Sequence, residues 1–258
     1  MPKQDACDLV AGVHAVLAAL QEAPATIDGV WIDRDRRDDR ISAIVGAARA
    51  GAVAVHRVPK TALDRLAAGV VHQGVIARRR AQARPSETDL LALVAAVPRP
   101  LLLILDGVHD PHNLGACLRT AEAAGAQAVV MPRHARAPLS AVAARAACGA
   151  AERLPVFEVA NLARTLDLLK EAGVWLMGAS ADAPVSLHEA DIPQAVAFVL
   201  GGEGAGLRRL TRISCDFLVR IPMHGQAESL NVSVAAALCL YEAVRSRSAE
   251  IALAARKP

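Results

Sequence analysis

Three short stretches in the second half of the chain hold the residue types and spacings that could do chemistry. In DGVHDPHNLGACLRT (106–120), Asn113 and Arg119 stand six residues apart, just after an apolar run and a loop. An amide followed by a guanidinium within two helical turns can orient and polarise a bound hydroxyl or anion. The plainer reading makes Asn113 a helix N-cap and Arg119 a surface charge. In FVLGGEGAGLRRL (198–210), an apolar run enters glycines and then a helix start. Glycines there let a ligand approach backbone groups closely. Glu203 among them would repel a phosphate and suits a cationic or polyol ligand better; a tight strand-to-helix turn is the bland alternative. In VRIPMHGQAESLNVSVAAALCLYEAVR (219–245), a polar loop separates an apolar stretch from a long apolar helix opening at Ser229-Leu230-Asn231. Ser229 reads either as an N-cap or as part of a loop whose free backbone groups hold a flat heterocycle.

Other chemistries lack their signatures. No G-x-x-x-x-G-K-[ST], H-E-x-x-H or G-x-S-x-G occurs, and no metal-ligand cluster is visible. GGEGAG fails G-x-G-x-x-G in every register and sits late in the chain. A doubly wound, nucleotide-dependent oxidoreductase is thereby disfavoured. The five cysteines are scattered and form no C-x-x-C pair, which fits a reducing cytoplasm. No signal peptide or membrane span is expected.

The elements that must position these residues follow from periodicity. LLLILD (101–106) is a continuous apolar run bounded by prolines and Asp-Gly, the pattern of a parallel strand buried on both faces. Further strands are expected at 128–131, 155–159, 174–178, 195–200 and 217–221. Helices are expected at about 113–124, 139–148, 161–171, 207–213 and 229–246. Strands alternating with helices predict an α/β fold with a mostly parallel sheet covered on both faces. The Asn113 loop then lies at the C-terminal edge of the sheet, where such folds bind ligands. Before it, a helix at 10–20, strands at 29–32, 53–58 and 74–77, and helices at 41–50 and 61–67 make a small α/β module. DRDRRDDR (33–40), mixed in sign, reads as an exposed turn. A capping box at Ser86 and Asp89 opens a helix to about Val97. The division is a module over 1–78, a linker over 79–99, a larger domain over 100–247 and a tail over 248–258.

With 258 residues, 53% of them hydrophobic, the chain can bury a sizeable core without disulfides. Its six aromatic residues are too few for a platform of several stacked rings. Net charge is only +3, but residues 1–84 carry 13 Lys+Arg against 9 Asp+Glu, and the remainder 16 against 17. The surplus, including Arg78, Arg79, Arg80 and Arg84, reads blandly as a solvated linker and more sharply as a handle for phosphate.

Taken in order, the three stretches resemble the SpoU (TrmH-type) branch of the SPOUT methyltransferases. The likeness is carried by N-x-G-x-x-x-R (Asn113, Gly115, Arg119), G-x-E-x-x-G-L (Gly201/Gly202, Glu203, Gly206, Leu207) and I-P-M-x-G…S-L-N-V-S (Ile221, Pro222, Met223, Gly225, Ser229 to Ser233). GVHAVLAAL (12–20) and VHQGV (71–75) are similar to the L30e/L7Ae-like RNA-binding extension of the ribosomal members. Departures are Gln226-Ala227-Glu228 in a variable part of the third motif and Ser140 where an Asn is usual. The resemblance implies a trefoil-knotted catalytic domain, a homodimer, and S-adenosyl-L-methionine as cofactor, with no metal. It implies methylation of a guanosine ribose in the peptidyl-transferase loop of 23S rRNA or a pre-ribosomal particle, in the cytoplasm, with no membrane or DNA partner. Carried over, Gly201, Ile221 and Leu230 would bind the cofactor through backbone groups, and Gly202 and Met223 would line its pocket. Arg119 would activate the 2′-hydroxyl, with Asn113, Glu203, Ser229 and Asn231 orienting Arg119 and the ribose. The alternatives are a tRNA ribose methyltransferase of the same branch and a non-catalytic ribosome-assembly factor.

Overall fold

The computed structural model describes residues 7–80, 85–134, 140–204 and 206–254. They form two compact units, one from the described residues of 1–83 and 139–153, the other from the remainder.

The first unit is built on four strands: β1 (Cys7–Ala11), β2 (Ile27–Asp33), β3 (Val55–Val58) and β4 (Val75–Arg80), in the order β1-β4-β2-β3. β4 is antiparallel to both neighbours and β3 is parallel to β2. Helices α1 (Val13–Glu22) and α2 (Asp39–Ala50) close one face around Val16, Val30, Ile32, Ile41, Ile44 and Ala77. The short α3 (Lys60–Ala67) packs Leu63 and Ala67 on Ile76 on the other.

Three details depart from the sequence reading. The expected first helix loses its start to β1, because Gly12, at φ +103°, turns the chain before α1 begins. The arginine run is not linker: Arg78, Arg79 and Arg80 lie within β4, alternating between the two faces. Residues 139–153, expected within the larger domain, carry two short helices, α6 (Ala141–Ala146) and α7 (Ala150–Arg153), that group with the first unit. Glu152 there forms an ion pair with Arg79, and Arg145 donates to the Val71 carbonyl at 3.0 Å.

The second unit is a seven-stranded sheet, parallel throughout: β5 (Leu101–Asp106), β6 (Ala128–Pro132), β7 (Val156–Val159), β8 (Trp175–Ala179), β9 (Val185–Ser186), β10 (Val196–Gly201) and β11 (Phe217–Arg220). The order is β7-β6-β5-β10-β8-β11-β9. Every residue of β5 and β6 is buried, as their unbroken apolar runs require. The two-residue β9 is too short to leave a periodic signal.

On one face, α4 (Glu87–Ala96) and α8 (Leu162–Glu171) pack Leu90, Val94, Leu166 and Leu169 against the sheet. The capping box at Ser86 and Asp89 is present, but its helix is core and not linker: Leu90 is fully buried. On the other face, α5 (Pro111–Ala123) lies beside α10 (Val232–Ala254) over β5 and β10. A short α9 (Arg209–Ser214) joins β10 to β11. No helix among the described residues is long and apolar enough to cross a membrane.

Candidate active site

Because all seven strands run the same way, β5, β10 and β11 deliver their following loops to one edge of the sheet. β5 and β10 pair in register up to Gly201 opposite Asp106, so the loops after them leave side by side. Both glycines at the end of β10 are required by contact. A Cβ on Gly201 would come within 1.9 Å of the Gly206 carbonyl carbon, and one on Gly202 within 2.1 Å of the Gly107 oxygen. Gly202 donates to the Asp106 carbonyl at 2.9 Å, and Gly206 donates back to Gly202 at 3.1 Å. The glycine loop is thus folded onto itself and stitched to the loop after β5. Asp106 reinforces it: its side chain is buried, accepts from the Arg208 backbone N–H at 3.2 Å and lies 3.6 Å from the Arg208 guanidinium. The signal for this residue was an acid ending an otherwise apolar strand, and sequence reasoning passed over it.

Asn113 is not the helix cap. Asp110 caps α5, accepting from the backbone of His112 and Asn113, with Pro111 in the first turn. The Asp-Pro pair is a legible start signal. With the cap supplied by Asp110, the Asn113 side chain is released to face the neighbouring loops.

It donates from Nδ2 to Glu203 Oε1 at 2.6 Å, and its Oδ1 accepts from Asn231 Nδ2 at 2.9 Å. Asn231 Oδ1 accepts in turn from the Ser233 backbone N–H at 2.9 Å and the Ser233 hydroxyl at 2.7 Å. An ionised carboxylate only accepts, so Glu203 fixes which end of each amide faces it. Every donor in the Ser233–Asn231–Asn113–Glu203 chain points toward the carboxylate. Glu203 also raises Cys117, one helical turn beyond Asn113: burial, and then that carboxylate charge, push the thiol up to about 12. Burial likewise pushes Cys215 and Cys239 up to about 12, leaving three thiols that are poor nucleophiles at neutral pH.

Asn231, and not Ser229, immediately precedes α10 and caps it, accepting from the backbone of Ser233. Ser229 is exposed and makes no hydrogen bond to another described residue. Arg119 is exposed on α5. It lies about 9 Å along the axis from Asn113 and roughly 120° around it, so it presents a different azimuth of the helix.

The loop from Ile221 to Leu230 supplies the remaining expected residues. Ile221 and Met223 are half-buried and Leu230 is 36% exposed. No backbone–backbone hydrogen bond among the described residues involves residues 221–230. Such a run of unpaired donors and acceptors, at the same sheet edge as the glycine loop, fits a flat heterocycle held by main-chain contacts.

Residues 100–241 match the model of the SpoU rRNA Methylase family, and residues 9–84 match a family described as RNA 2'-O ribose methyltransferase substrate binding. The chain is 47% identical to a curated protein of Shewanella oneidensis named 23S rRNA (guanosine-2'-O-)-methyltransferase RlmB, over 96% of this chain and 99% of that one. It is 46% identical to the protein of the same name from Escherichia coli strain K12, over 93% and 99%. Among solved structures, it resembles an RNA 2'-O ribose methyltransferase (TM-score 0.75, 30% identity, 95% of this chain and 90% of that one). It also shares the fold of the SpoU methyltransferase AviRb from Streptomyces viridochromogenes, solved with its cofactor AdoMet (TM-score 0.78, 24% identity, 94% and 91%).

Proposed function

The chain belongs to the SpoU rRNA methylase family, and on that premise we propose that it transfers the methyl group of S-adenosyl-L-methionine to the ribose 2′-hydroxyl of a guanosine in 23S rRNA. The observation that carries the reading is the directed chain from Ser233 to Glu203, which ties together all three motif-bearing loops at one sheet edge. The intact chain speaks against a non-catalytic assembly factor. The substrate-binding match over 9–84, with its excess of Arg, supports an RNA substrate.

When bound, the cofactor supplies a methyl group on a sulfonium. Gly201, Ile221 and Leu230 would hold it by backbone groups, and Gly202 and Met223 would line its pocket. The unpaired backbone of 221–230 and the glycines that no side chain can replace fit that task. The protein's main work is alignment of the hydroxyl with the methyl, which supplies about 7–11 kcal/mol when near ideal. The Asn113–Glu203 pair orients the ribose. Arg119 stabilises charge developing on the 2′-oxygen, because a guanidinium donates hydrogen bonds and accepts none. The proton passes to a neighbouring acceptor, for which an RNA phosphate is available. The guanosine lies in the peptidyl-transferase loop, and the reaction belongs to the cytoplasm, where the rRNA or pre-ribosomal particle is found.

The active form is a homodimer joined through α10. Val232, Ala236, Cys239, Leu240 and Ala243 turn one side of that helix into its own unit. Val234 (46% exposed), Leu238 (37%) and Tyr241 (48%) form an apolar stripe on the opposite side. Both sides of α10 therefore carry large apolar residues, Leu240 inward and Leu238 and Tyr241 outward. The same reading gives the larger unit a trefoil knot.

The testing experiment incubates the protein with 23S rRNA and methyl-labelled cofactor, then digests the RNA to nucleosides. Label in 2′-O-methylguanosine supports the reading; label on a base, or none, refutes it.

A further inference from the structure

The first unit has one sheet face closed by α1 and α2 and the other only partly covered by α3. Alternation puts Trp31, His56 and Arg78 on the α3 side, since their sequence neighbours Val30, Ile32, Val55 and Ala77 pack into the opposite core. Trp31 packs partly against the Leu63–Ala67–Ile76 cluster, and its ring stacks with that of His56, centroids 5.2 Å apart and planes 23° apart. The Arg78 guanidinium carbon lies 5.3 Å from the centroid of the indole. β2 lies between β4 and β3, so Arg78 and His56 flank Trp31 from opposite sides. Gly29 leaves the space for this: a Cβ there would meet the indole at 3.2 Å and the imidazole at 3.6 Å. The result is a three-tier stack, guanidinium on indole on imidazole, running across the strands. β3 is an edge strand and His56 is exposed, so the stack ends in an open imidazole face at the rim of the sheet.

We propose that this open face of His56 receives one unpaired nucleobase of RNA, extending the Arg78–Trp31–His56 stack by a fourth tier. Every base has a π-face, and stacking on aromatic rings and guanidinium planes is how proteins hold unpaired RNA bases. The exposed Arg78 gives this face positive charge that suits an RNA backbone, while Arg80 beside it is ion-paired with Asp28 at 3.1 Å. A count of Phe, Trp and Tyr misses such a stack, because only one of its three members is counted. The inference rests on the RNA-binding reading of this unit and adds the place and manner of contact.

The test uses the full chain carrying Trp175→Phe, which leaves Trp31 as the only indole of the two in the sequence. The probe is a single-stranded hexa-adenosine RNA, whose bases are unpaired, followed through Trp31 fluorescence. Binding alters Trp31 emission; His56→Ala weakens it roughly 5- to 100-fold, and His56→Phe restores most of the loss whereas His56→Leu does not. Equal binding by wild type and His56→Ala, or by the Leu and Phe variants, overturns the proposal. Methylation of 23S rRNA by the same preparations separates the two readings. If wild type methylates and His56→Ala binds the hexamer normally, the stack is wrong and the activity stands. If wild type fails to methylate, the activity is wrong, and the hexamer titration still decides the stack.

Discussion

The Asn113 side-chain amide donates to the Glu203 carboxylate at 2.6 Å, although 90 residues separate them in the chain. The contact exists because β5 and β10 are parallel neighbours that end in register, so the residues that follow each strand meet at one sheet edge. Its partner bond, from Asn231 to Asn113, spans 118 residues and fastens the start of α10 to the same point. Glu203 is thereby explained as the acceptor that sets the direction of two amides.

Asn113→Ala removes the middle of this chain. Turnover should fall about 10²-fold, the usual consequence of losing one positioned donor in an active site. Cofactor affinity, measured by calorimetry, should remain near wild type, because the glycine loop and the 221–230 loop are untouched. Near-normal turnover would show that the chain of amides serves folding alone.

Gly201→Ala addresses the cofactor side. The added methyl would overlap the Gly206 backbone, so the loop must open. Cofactor affinity should fall roughly tenfold or more, about 1.4 kcal/mol per factor of ten. Unchanged affinity would remove Gly201 from the pocket.

Much of this was legible in the chain itself, for identifiable reasons. The buried strands were readable because β5, β6 and β10 are covered on both faces and so are apolar without interruption. Family resemblance groups Asn113, Glu203, Ser229 and Asn231 around Arg119; that Asn113 bonds Glu203 and Asn231 directly depends on strand register and has no local signal. The plainer alternative, a capping role for Asn113 and Ser229, falls at both helices. Asp110 and Asn231 hold the positions that the sequence reading offered to Asn113 and Ser229, because several residues of cap-forming type stand within a few positions of each helix start. The place of residues 139–153 was hidden altogether: the ion pair of Glu152 with Arg79 is a tertiary choice with no local pattern.

The outward stripe of α10 predicts the oligomeric state. Light scattering should give twice the 26.9 kDa mass of the chain. Leu238→Glu combined with Tyr241→Glu should give the monomer, by placing charge in an apolar contact. A wild-type monomer at micromolar concentration would contradict the assignment.

Stability should carry an acid-side signature from Glu242. Its hydrogen bonds from Arg245, and then from His188, hold its carboxyl below the usual glutamate range despite burial. The unfolded chain therefore takes up the proton first. The stabilisation is present above the ordinary glutamate value of about 4.3 and is lost as pH falls through the lower folded value. Thermal melts of Glu242→Gln should fall less steeply with acidification between about pH 5 and pH 3 than those of wild type. Parallel slopes would show that Glu242 contributes nothing to acid lability.

Methylation of one guanosine ribose is tested most directly by a map of 2′-O-methyl positions in 23S rRNA from cells lacking this protein. Loss of a single 2′-O-methylguanosine in the peptidyl-transferase loop is expected, restored by the wild-type chain and not by Arg119→Ala. An unchanged methylation map, or restoration by Arg119→Ala, would contradict it.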